Sequence, residues 1–186
     1  MNKKLIFDAL KPFMPRKRFS ANQVKGLDFL LDSYESQDAL NLEQYGYFLA
    51  SAMVETWFTF QPIEENIRGN KKKYTKPAKN GKVYKGRGYV MITWLTNYAK
   101  LGKALGIDLV NYPEKALEPD TALRIALVGM AAGLFTGVRI SQYINLEKQD
   151  LVNARKVINS LDRAEEIASY AEVIIKALKD ATRTHP

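Results

Sequence analysis

The chain has 186 residues, a formal net charge of +8 and no cysteine. The lack of cysteine excludes a disulfide framework, a thiolate metal site and a thiol nucleophile, and the single histidine, His185 near the terminus, argues against a Ser-His-Asp triad or a histidine metal cluster. The positive charge favours a polyanionic partner, which leaves nucleic acid, anionic lipid and cell-wall polymer open.

The length and apolar content suit one sizeable core, so we expect a single domain over residues 1–186. The N-terminus starts with lysines as a secretory leader does, but Asp8 and Lys11 interrupt its apolar stretch and no small-residue cleavage site follows. No window approaches the roughly 20 apolar residues that a membrane helix needs. We therefore expect a protein that is made and held in the cytoplasm.

Apolar residues at helical spacing predict a mainly α fold. Capping pairs mark three helix starts, because a side chain at each start can accept a hydrogen bond from a free backbone amide. The predicted helices run from Ser20 with Gln23 to about Tyr34, from Asn41 with Gln44 toward Glu55, from Thr93 through Leu105, from Pro119 to Phe135, from Asp150 to Ile158, and from Asp162 with Glu165 to about Ala181.

Between residues 60 and 85 the helical period disappears, and glycines, prolines and a lysine run at 71–73 indicate an irregular polar stretch that can include a short hairpin. Helices on both sides of a long polar loop commonly form a cleft, since the loop cannot fill the groove with apolar side chains.

Two acidic positions flank this change in pattern. Glu55 follows an apolar run and precedes Thr56, Trp57 and Phe58, surroundings expected to desolvate its carboxyl group and keep it protonated, as a general acid requires. Glu64 and Glu65 begin the polar loop, where water and lysines would keep a carboxylate ionised, as a general base requires. From spacing alone we favour a non-catalytic interpretation, in which Glu55 merely lies at a helix end and Glu64 and Glu65 are ordinary surface charge.

Several motifs around these acidic positions make their catalytic interpretation more specific than spacing alone does. The segment GRGYVMITWLTNYAKLG at 86–102 resembles the signature of family-nineteen chitinases and related bacteriophage endolysins, and FLASAMVETWFTFQPIEE at 48–65 is similar to the family's acidic segment. Further similar segments follow in family order at 112–120, 129–137 and 154–172. The resemblance covers roughly residues 20–180 and implies a lysozyme-like fold with helices around a substrate cleft.

The resemblance also implies roles. Glu55 would be the general acid, Glu65 the second acidic residue with Glu64 as the alternative, and Thr93 the hydroxyl that holds the attacking water. Other candidate substrate-binding residues are Arg87, Asn97, Asn159 and Arg163, together with Trp57, Tyr89 and Trp94 for stacking on sugar rings. For Trp94 we favour core packing, because it lies on an apolar helical stretch. By the same resemblance, Gly86 and Gly88 permit close backbone packing beside the cleft floor. A phosphate-binding turn is disfavoured there, because the full phosphate-loop pattern is missing.

The sequence departs from the family at three places. Val54 stands where histidine is usual, Met91 where glutamine is usual, and Ser160-Leu161 where Gly-Thr is usual. The first two changes remove polar groups expected near the acid and the substrate. A catalytically silent wall-binding module is therefore an alternative to an active enzyme.

The resulting hypothesis is an endolysin that hydrolyses the β-1,4 bond between N-acetylmuramic acid and N-acetylglucosamine with inversion, without a metal or organic cofactor. We expect a monomer that binds peptidoglycan and also anionic lipopolysaccharide or a membrane surface through loop lysines, does not bind nucleic acid, and waits for a separate permeabilising protein. A chitinase, a lytic transglycosylase and a basic nucleic-acid-binding protein remain alternatives. The loop lysines are Lys71, Lys72, Lys73, Lys76, Lys79 and Lys82.

Overall fold

Six α-helices and a two-stranded sheet form the part of the chain that the computed structural model describes, residues 1–69 and 72–183. Lys71 of the polar loop and His185 near the terminus lie outside these residues. The elements are α1 (Lys3–Leu10), α2 (Ala21–Glu35), α3 (Leu42–Glu55), β1 (Ile63–Glu64), β2 (Arg87–Gly88), α4 (Leu95–Leu105), α5 (Pro119–Ala132) and α6 (Ala164–Thr182). The predicted mainly α class is confirmed.

Two of the predicted helix starts are full capping boxes. At α2 the Gln23 amide donates to Ser20 Oγ (3.3 Å) and the Ser20 amide donates to Gln23 Oε1 (2.8 Å). At α3 the Gln44 amide donates to Asn41 Oδ1 (2.9 Å) and the Asn41 amide to Gln44 Oε1 (3.2 Å). These reciprocal bonds satisfy amides that the first helical turn leaves free, and so they fix where each helix begins.

Helix α3 is the central element of the core, because every residue from Gln44 to Val54 is buried. It packs on α6, and a Cβ added at Gly46 would lie 2.5 Å from Ile175 Cγ1, so only glycine allows this approach. Ile167 and Ile174 of α6 are fully buried and belong to the core. Helix α1, which also packs on α6, was not predicted.

The small sheet brings the two ends of the polar loop together. Strand β1 pairs antiparallel with β2, with Ile63 opposite Gly88 and Glu64 opposite Arg87. An irregular stretch was predicted for residues 60–85, and the loop between the two strands is residues 65–86, so it leaves and re-enters the fold at one point. Glu65 is its first residue, directly after β1.

Three helix boundaries differ from prediction. Helix α5 ends at Ala132, because Gly133 adopts a left-handed φ of 69° that closes the helix. Residues 150–158 contain a 3₁₀ turn, Asn153–Val157, in place of an α-helix. The predicted Asp162–Glu165 capping pair is wrong, since α6 starts after Arg163, whose φ is 56°, without a side-chain cap. Within residues 1–69 and 72–183, none of the helices combines the length and apolar character of a membrane span.

Candidate active site

Glu55 and Glu65, ten positions apart in sequence, line one cleft. The cleft consists of two adjoining cavities of about 400 and 520 Å³, and Glu55, Glu65 and Met91 line both. Trp57, Glu64 and Arg163 add to the first cavity, whereas Thr93, Trp94 and Asn159 add to the second. Helix α3, the polar loop, the segment before α4 and the segment before α6 thus meet around two carboxylates.

Glu55 is the last residue of α3, and Thr56 ends the helix behind it. The buried Thr56 hydroxyl donates to the Ala52 carbonyl (2.7 Å) and accepts from the Phe60 amide (3.2 Å), which turns the chain sharply. Trp57 and Phe58 follow with left-handed φ values of 54° and 63°, a conformation that is costly for bulky residues. The turn leaves Trp57 74% exposed beside Glu55, where its ring is accessible to a ligand.

A buried arginine contacts Glu55. Arg155 is 1% exposed, its Nη2 lies 2.5 Å from Glu55 Oε1, and its Nε donates to the Asp162 carbonyl (3.0 Å). Glu55 was expected in apolar surroundings that keep it neutral. The surroundings differ from that expectation, because the guanidinium of a buried arginine contacts the carboxyl group. Arg155 lies in the family-like segment 154–172, but no role was predicted for it, because a buried arginine has no local sequence signature.

More polar groups lie below this ion pair. Tyr47 and Ser51 precede Glu55 by eight and four positions on α3, so all three share one helix face. Tyr47 Oη, Ser51 Oγ and Arg155 Nη1 are all buried. Burial raises the pKa of Tyr47 far above its ordinary value, although Arg155 opposes this shift, so the phenol stays neutral. Glu55 therefore has a polar layer beneath it.

Glu65 is positioned by the loop that it begins. Tyr74 Oη donates to Oε1 (3.0 Å), the Gly86 amide donates to Oε2 (3.1 Å), and the Glu65 amide donates to the Gly86 carbonyl (2.8 Å). A Cβ at Gly86 would lie 3.2 Å from Glu65 Oε2 and would crowd the carboxylate. The expected close packing at Gly86 is thereby confirmed.

Glu64 is tied into the sheet. Lys85 Nζ lies 2.7 Å from its Oε1 and Arg87 Nε lies 2.7 Å from its Oε2. Burial alone would raise the pKa of Glu64, but hydrogen bonds from Lys85 and Arg87 outweigh it and hold the pKa below the ordinary value. Both carboxylate oxygens of Glu64 are therefore engaged by cations of the sheet region.

Arg87 was expected to bind substrate, and the structure corrects this. The residue is 7% exposed, and besides Glu64 it donates to Tyr98 Oη (3.1 Å) and the Val83 carbonyl (3.0 Å). All of these partners lie within the fold. Arg87 therefore holds the base of the polar loop and does not face the cleft.

Two of the aromatic candidates differ from expectation in whether they lie in the core or at the cleft. Tyr89 is 1% exposed and packs edge-on against Phe48, so the expected stacking on sugar is wrong for this residue. Trp94, for which core packing was favoured, is 44% exposed with a φ of 71° and lines the cleft. Asn97 lies in the first turn of α4, outside the residues that line the cleft.

The remaining candidates lie at the cleft. Thr93 and Asn159 line the cavity that contains Glu55 and Glu65, and Asn159 Oδ1 accepts from the Ser160 amide (2.9 Å). Arg163 lines the other cavity and pairs with Glu166 through Nε–Oε2 (2.7 Å) and Nη2–Oε1 (3.0 Å). Their catalytic and binding roles stay predictions.

Other features of the described chain offer less chemistry. A cavity of about 570 Å³ near Arg16, Arg18 and Ser20 has no carboxylate in its lining and cannot support a two-carboxylate reaction. Within the described ranges there is no group of three or more His, Cys, Asp or Glu side chains arranged to hold a metal ion. The cleft is thus the best candidate active site.

Comparison with known proteins adds to this picture. Residues 46–129 match the sequence profile of glycoside hydrolase family 19, described as chitinase class I. Endochitinase A2 of Pisum sativum is 42% identical over 52 residues, 27% of this chain and 16% of that protein, and inactive chitinase-like protein 1 of Hevea brasiliensis is 47% identical over 38 residues, 20% and 12% respectively. The matched segments thus span less than a fifth of these two relatives.

Similarity to solved structures extends along nearly the whole chain. A bacterial family 19 chitinase is 24% identical with a TM-score of 0.54, covering 93% of this chain and 92% of its own. Chitinase C from Streptomyces griseus is 20% identical with a TM-score of 0.58, covering 97% and 77%. The chain therefore has the helical, lysozyme-like fold of these chitinases. Its residues 46–129, which contain Glu55, Glu65 and the 86–102 motif, match the profile of glycoside hydrolase family 19.

Proposed function

We propose that this protein cleaves bacterial peptidoglycan by hydrolysing the β-1,4 bond between N-acetylmuramic acid and N-acetylglucosamine. The observation that carries the proposal is that Glu55 and Glu65 line the same cleft, together with the Thr93 hydroxyl. Two carboxyl groups in a groove that can hold a glycan are the minimum that glycoside hydrolysis requires.

The proposed reaction is a single inverting displacement. Glu55 transfers its proton to the glycosidic oxygen as the bond from that oxygen to the anomeric carbon breaks. Glu65 takes a proton from a water that Thr93 orients, and the water oxygen bonds to the anomeric carbon from the opposite face. Arg155 engages Glu55 Oε1, so the transferred proton is carried by Oε2. Asn159, Arg163 and Trp57 bind the sugar chain on the cleft walls.

The positive charge supports peptidoglycan over a neutral polymer. At +8, the protein is attracted to anionic wall polymer and to lipopolysaccharide or membrane surfaces, and Lys72 of the polar loop lines the cleft. In this proposal a monomer acts in host lysis as an endolysin. It stays in the cytoplasm until a separate protein permeabilises the membrane, and it has no nucleic-acid partner.

Two observations favour other functions. The relatives named above include an endochitinase, which supports chitin as an alternative substrate. Val54 and Met91 both line the cleft with apolar side chains where the family usually has polar ones, and one relative is named inactive. These points support a wall-binding module without activity as the second alternative.

Release of reducing sugar from purified peptidoglycan and from chitin separates these functions. Glu55→Gln and Glu65→Gln should each lower the rate on peptidoglycan by about 10²–10⁴-fold, because each removes a proton-transfer group. Glu114→Gln, an exposed glutamate outside the cleft, is the matched control and should retain the wild-type rate. Circular dichroism must show that all three variants are folded.

The outcomes differ clearly. Cleavage of chitin alone would favour the chitinase. A wild-type protein that cuts neither polymer but sediments with cell walls would leave the binding module. Products that end in an anhydro sugar, in place of a reducing end, would contradict hydrolysis and indicate a transglycosylase.

A further inference from the structure

A second cavity lies next to the cleft, between the polar loop and the start of α4. Its volume is about 330 Å³, and we call it the side pocket. The residues used below are Lys73, Tyr74, Lys76, Pro77, Trp94 and Leu95. None of the catalytic candidates lines it, so the proposed hydrolysis does not account for it.

The side pocket and the cleft share a wall. Tyr74 and Trp94 line both cavities, and their rings pack edge-on with centroids 5.3 Å apart. The Tyr74 hydroxyl on this wall donates to Glu65 Oε1 (3.0 Å). A ligand in the side pocket is therefore one aromatic side chain away from the proposed base and can be attached to the glycan in the cleft.

The lining has an apolar floor and a cationic rim. Trp94 and Leu95 are 44% and 42% exposed, unusual for large apolar side chains, and Pro77 lies beside them. Lys73 and Lys76 are exposed and form no ion pair with any carboxylate of the described residues. No Asp or Glu lines the side pocket. This combination is complementary to a short chain that carries carboxylates on an otherwise compact, partly apolar body.

We infer that the side pocket binds the acidic peptide attached to the muramic acid of the strand in the cleft, and so selects peptide-bearing glycan over chitin. The inference rests on the proposed function for the identity of the glycan. Peptidoglycan carries short peptides with free carboxylates on alternate sugars, whereas chitin is uncharged and unbranched. Lys73 and Lys76 bind the carboxylates, and Trp94 and Leu95 cover the peptide's aliphatic part.

The test measures binding without cleavage. Isothermal titration in a Glu55→Gln background compares a soluble muramyl disaccharide that carries its peptide with the same disaccharide after an amidase has removed the peptide. The peptide-bearing ligand should bind more tightly. Lys73→Gln/Lys76→Gln should weaken its binding by about fivefold, as expected for two partly exposed charge contacts, and leave the peptide-free ligand unchanged.

A matched control makes the same change in net charge as the pocket variant, at positions outside the side pocket. Lys100→Gln/Lys103→Gln removes two exposed lysines of α4 that line neither the side pocket nor the cleft. If this control weakens binding of the peptide-bearing disaccharide as much as the pocket variant does, the effect is general attraction between a basic protein and an acidic ligand, and the inference is wrong. Equal binding of both disaccharides to the unaltered pocket also overturns it.

The inference and the proposed function fail in different experiments. A protein that cuts no polymer but still prefers the peptide-bearing disaccharide, with loss of preference in the pocket variant, would support the side pocket and contradict hydrolysis. A protein that cuts peptidoglycan and binds both disaccharides equally would support hydrolysis and contradict the side pocket.

Discussion

The two sides of the cleft hold their carboxylates in different ways. Glu55 ends a buried helix and pairs with Arg155, which is 1% exposed and anchored to the Asp162 carbonyl. Glu65 begins a long irregular loop and accepts hydrogen bonds from the Tyr74 hydroxyl and the Gly86 amide. One side is part of the core, and the other is a surface segment closed by a two-residue sheet.

This difference separates stability from activity. A change on the Glu55 side disturbs a buried ion pair and the helix that forms the centre of the core. A change on the Glu65 side disturbs a loop that contributes little buried apolar surface, so it should alter turnover with little effect on unfolding. Substitutions on the two sides can test this division.

The largest effect is expected for Arg155→Met. It leaves the Glu55 carboxylate without its buried cation and should lower the free energy of unfolding by about 3 kcal/mol, measured by urea denaturation. The double variant Arg155→Met/Glu55→Gln should recover part of the lost free energy of unfolding, because residue 55 then carries no charge that lacks a partner. Arg163→Met, whose partner Glu166 is more exposed, should cost at most about 1 kcal/mol. Equal losses for the two arginines would contradict the buried-pair interpretation.

Tyr74→Phe is expected to have the next largest effect. It removes the hydroxyl that donates to Glu65 but keeps the ring that packs on Trp94. Loss of one hydrogen bond to a charged group should lower kcat/KM on peptidoglycan by about tenfold, with little change in the urea midpoint. Tyr112→Phe, on an exposed tyrosine outside the cleft, serves as the control. An unchanged kcat/KM would show that Tyr74 does not position Glu65.

The smallest effect concerns Glu64 and pH. Its pKa is lower in the folded protein than the ordinary 4.5, so its contribution to stability is present above about pH 4.5 and is lost as the pH falls through the folded pKa. Because the side chain is 37% exposed, Glu64→Gln should cost less than about 1 kcal/mol at pH 7. Unfolding at pH 7 and pH 3 should show this cost shrinking, and a constant cost would contradict the assignment.

Local patterns predicted the parts of the fold that depend on local physics. The capping pairs at Ser20 and Asn41 form as expected, since each bond joins residues three positions apart. The predicted pair at Asp162 failed because Arg163 takes a left-handed conformation that the tertiary fold imposes. Helix α1 was not predicted, although its Ile6 and Leu10 are fully buried.

At the site, motif resemblance located Glu55, Glu65 and Thr93, but it could not tell exposed from buried neighbours. Arg87 and Tyr89 lie within the same motif as Thr93, yet they face the sheet and the core. Arg155 and Tyr74 were not assigned roles, because their contacts with the carboxylates depend on chain segments that only tertiary packing brings together.

Of the eight non-glycine residues with positive φ in the described part of the chain, four line the cleft. Trp57, Met91, Trp94 and Arg163 have φ values of 54°, 53°, 71° and 56°, and all four line it. Since each such residue costs about 1–3 kcal/mol, the remaining contacts of the fold must compensate for them. Selection for heat resistance alone would thus favour glycine at these positions, which relaxes the backbone and deletes the side chains that shape the cleft. Sequences selected only for thermal stability should lose these four cleft-lining side chains before other parts of the molecule.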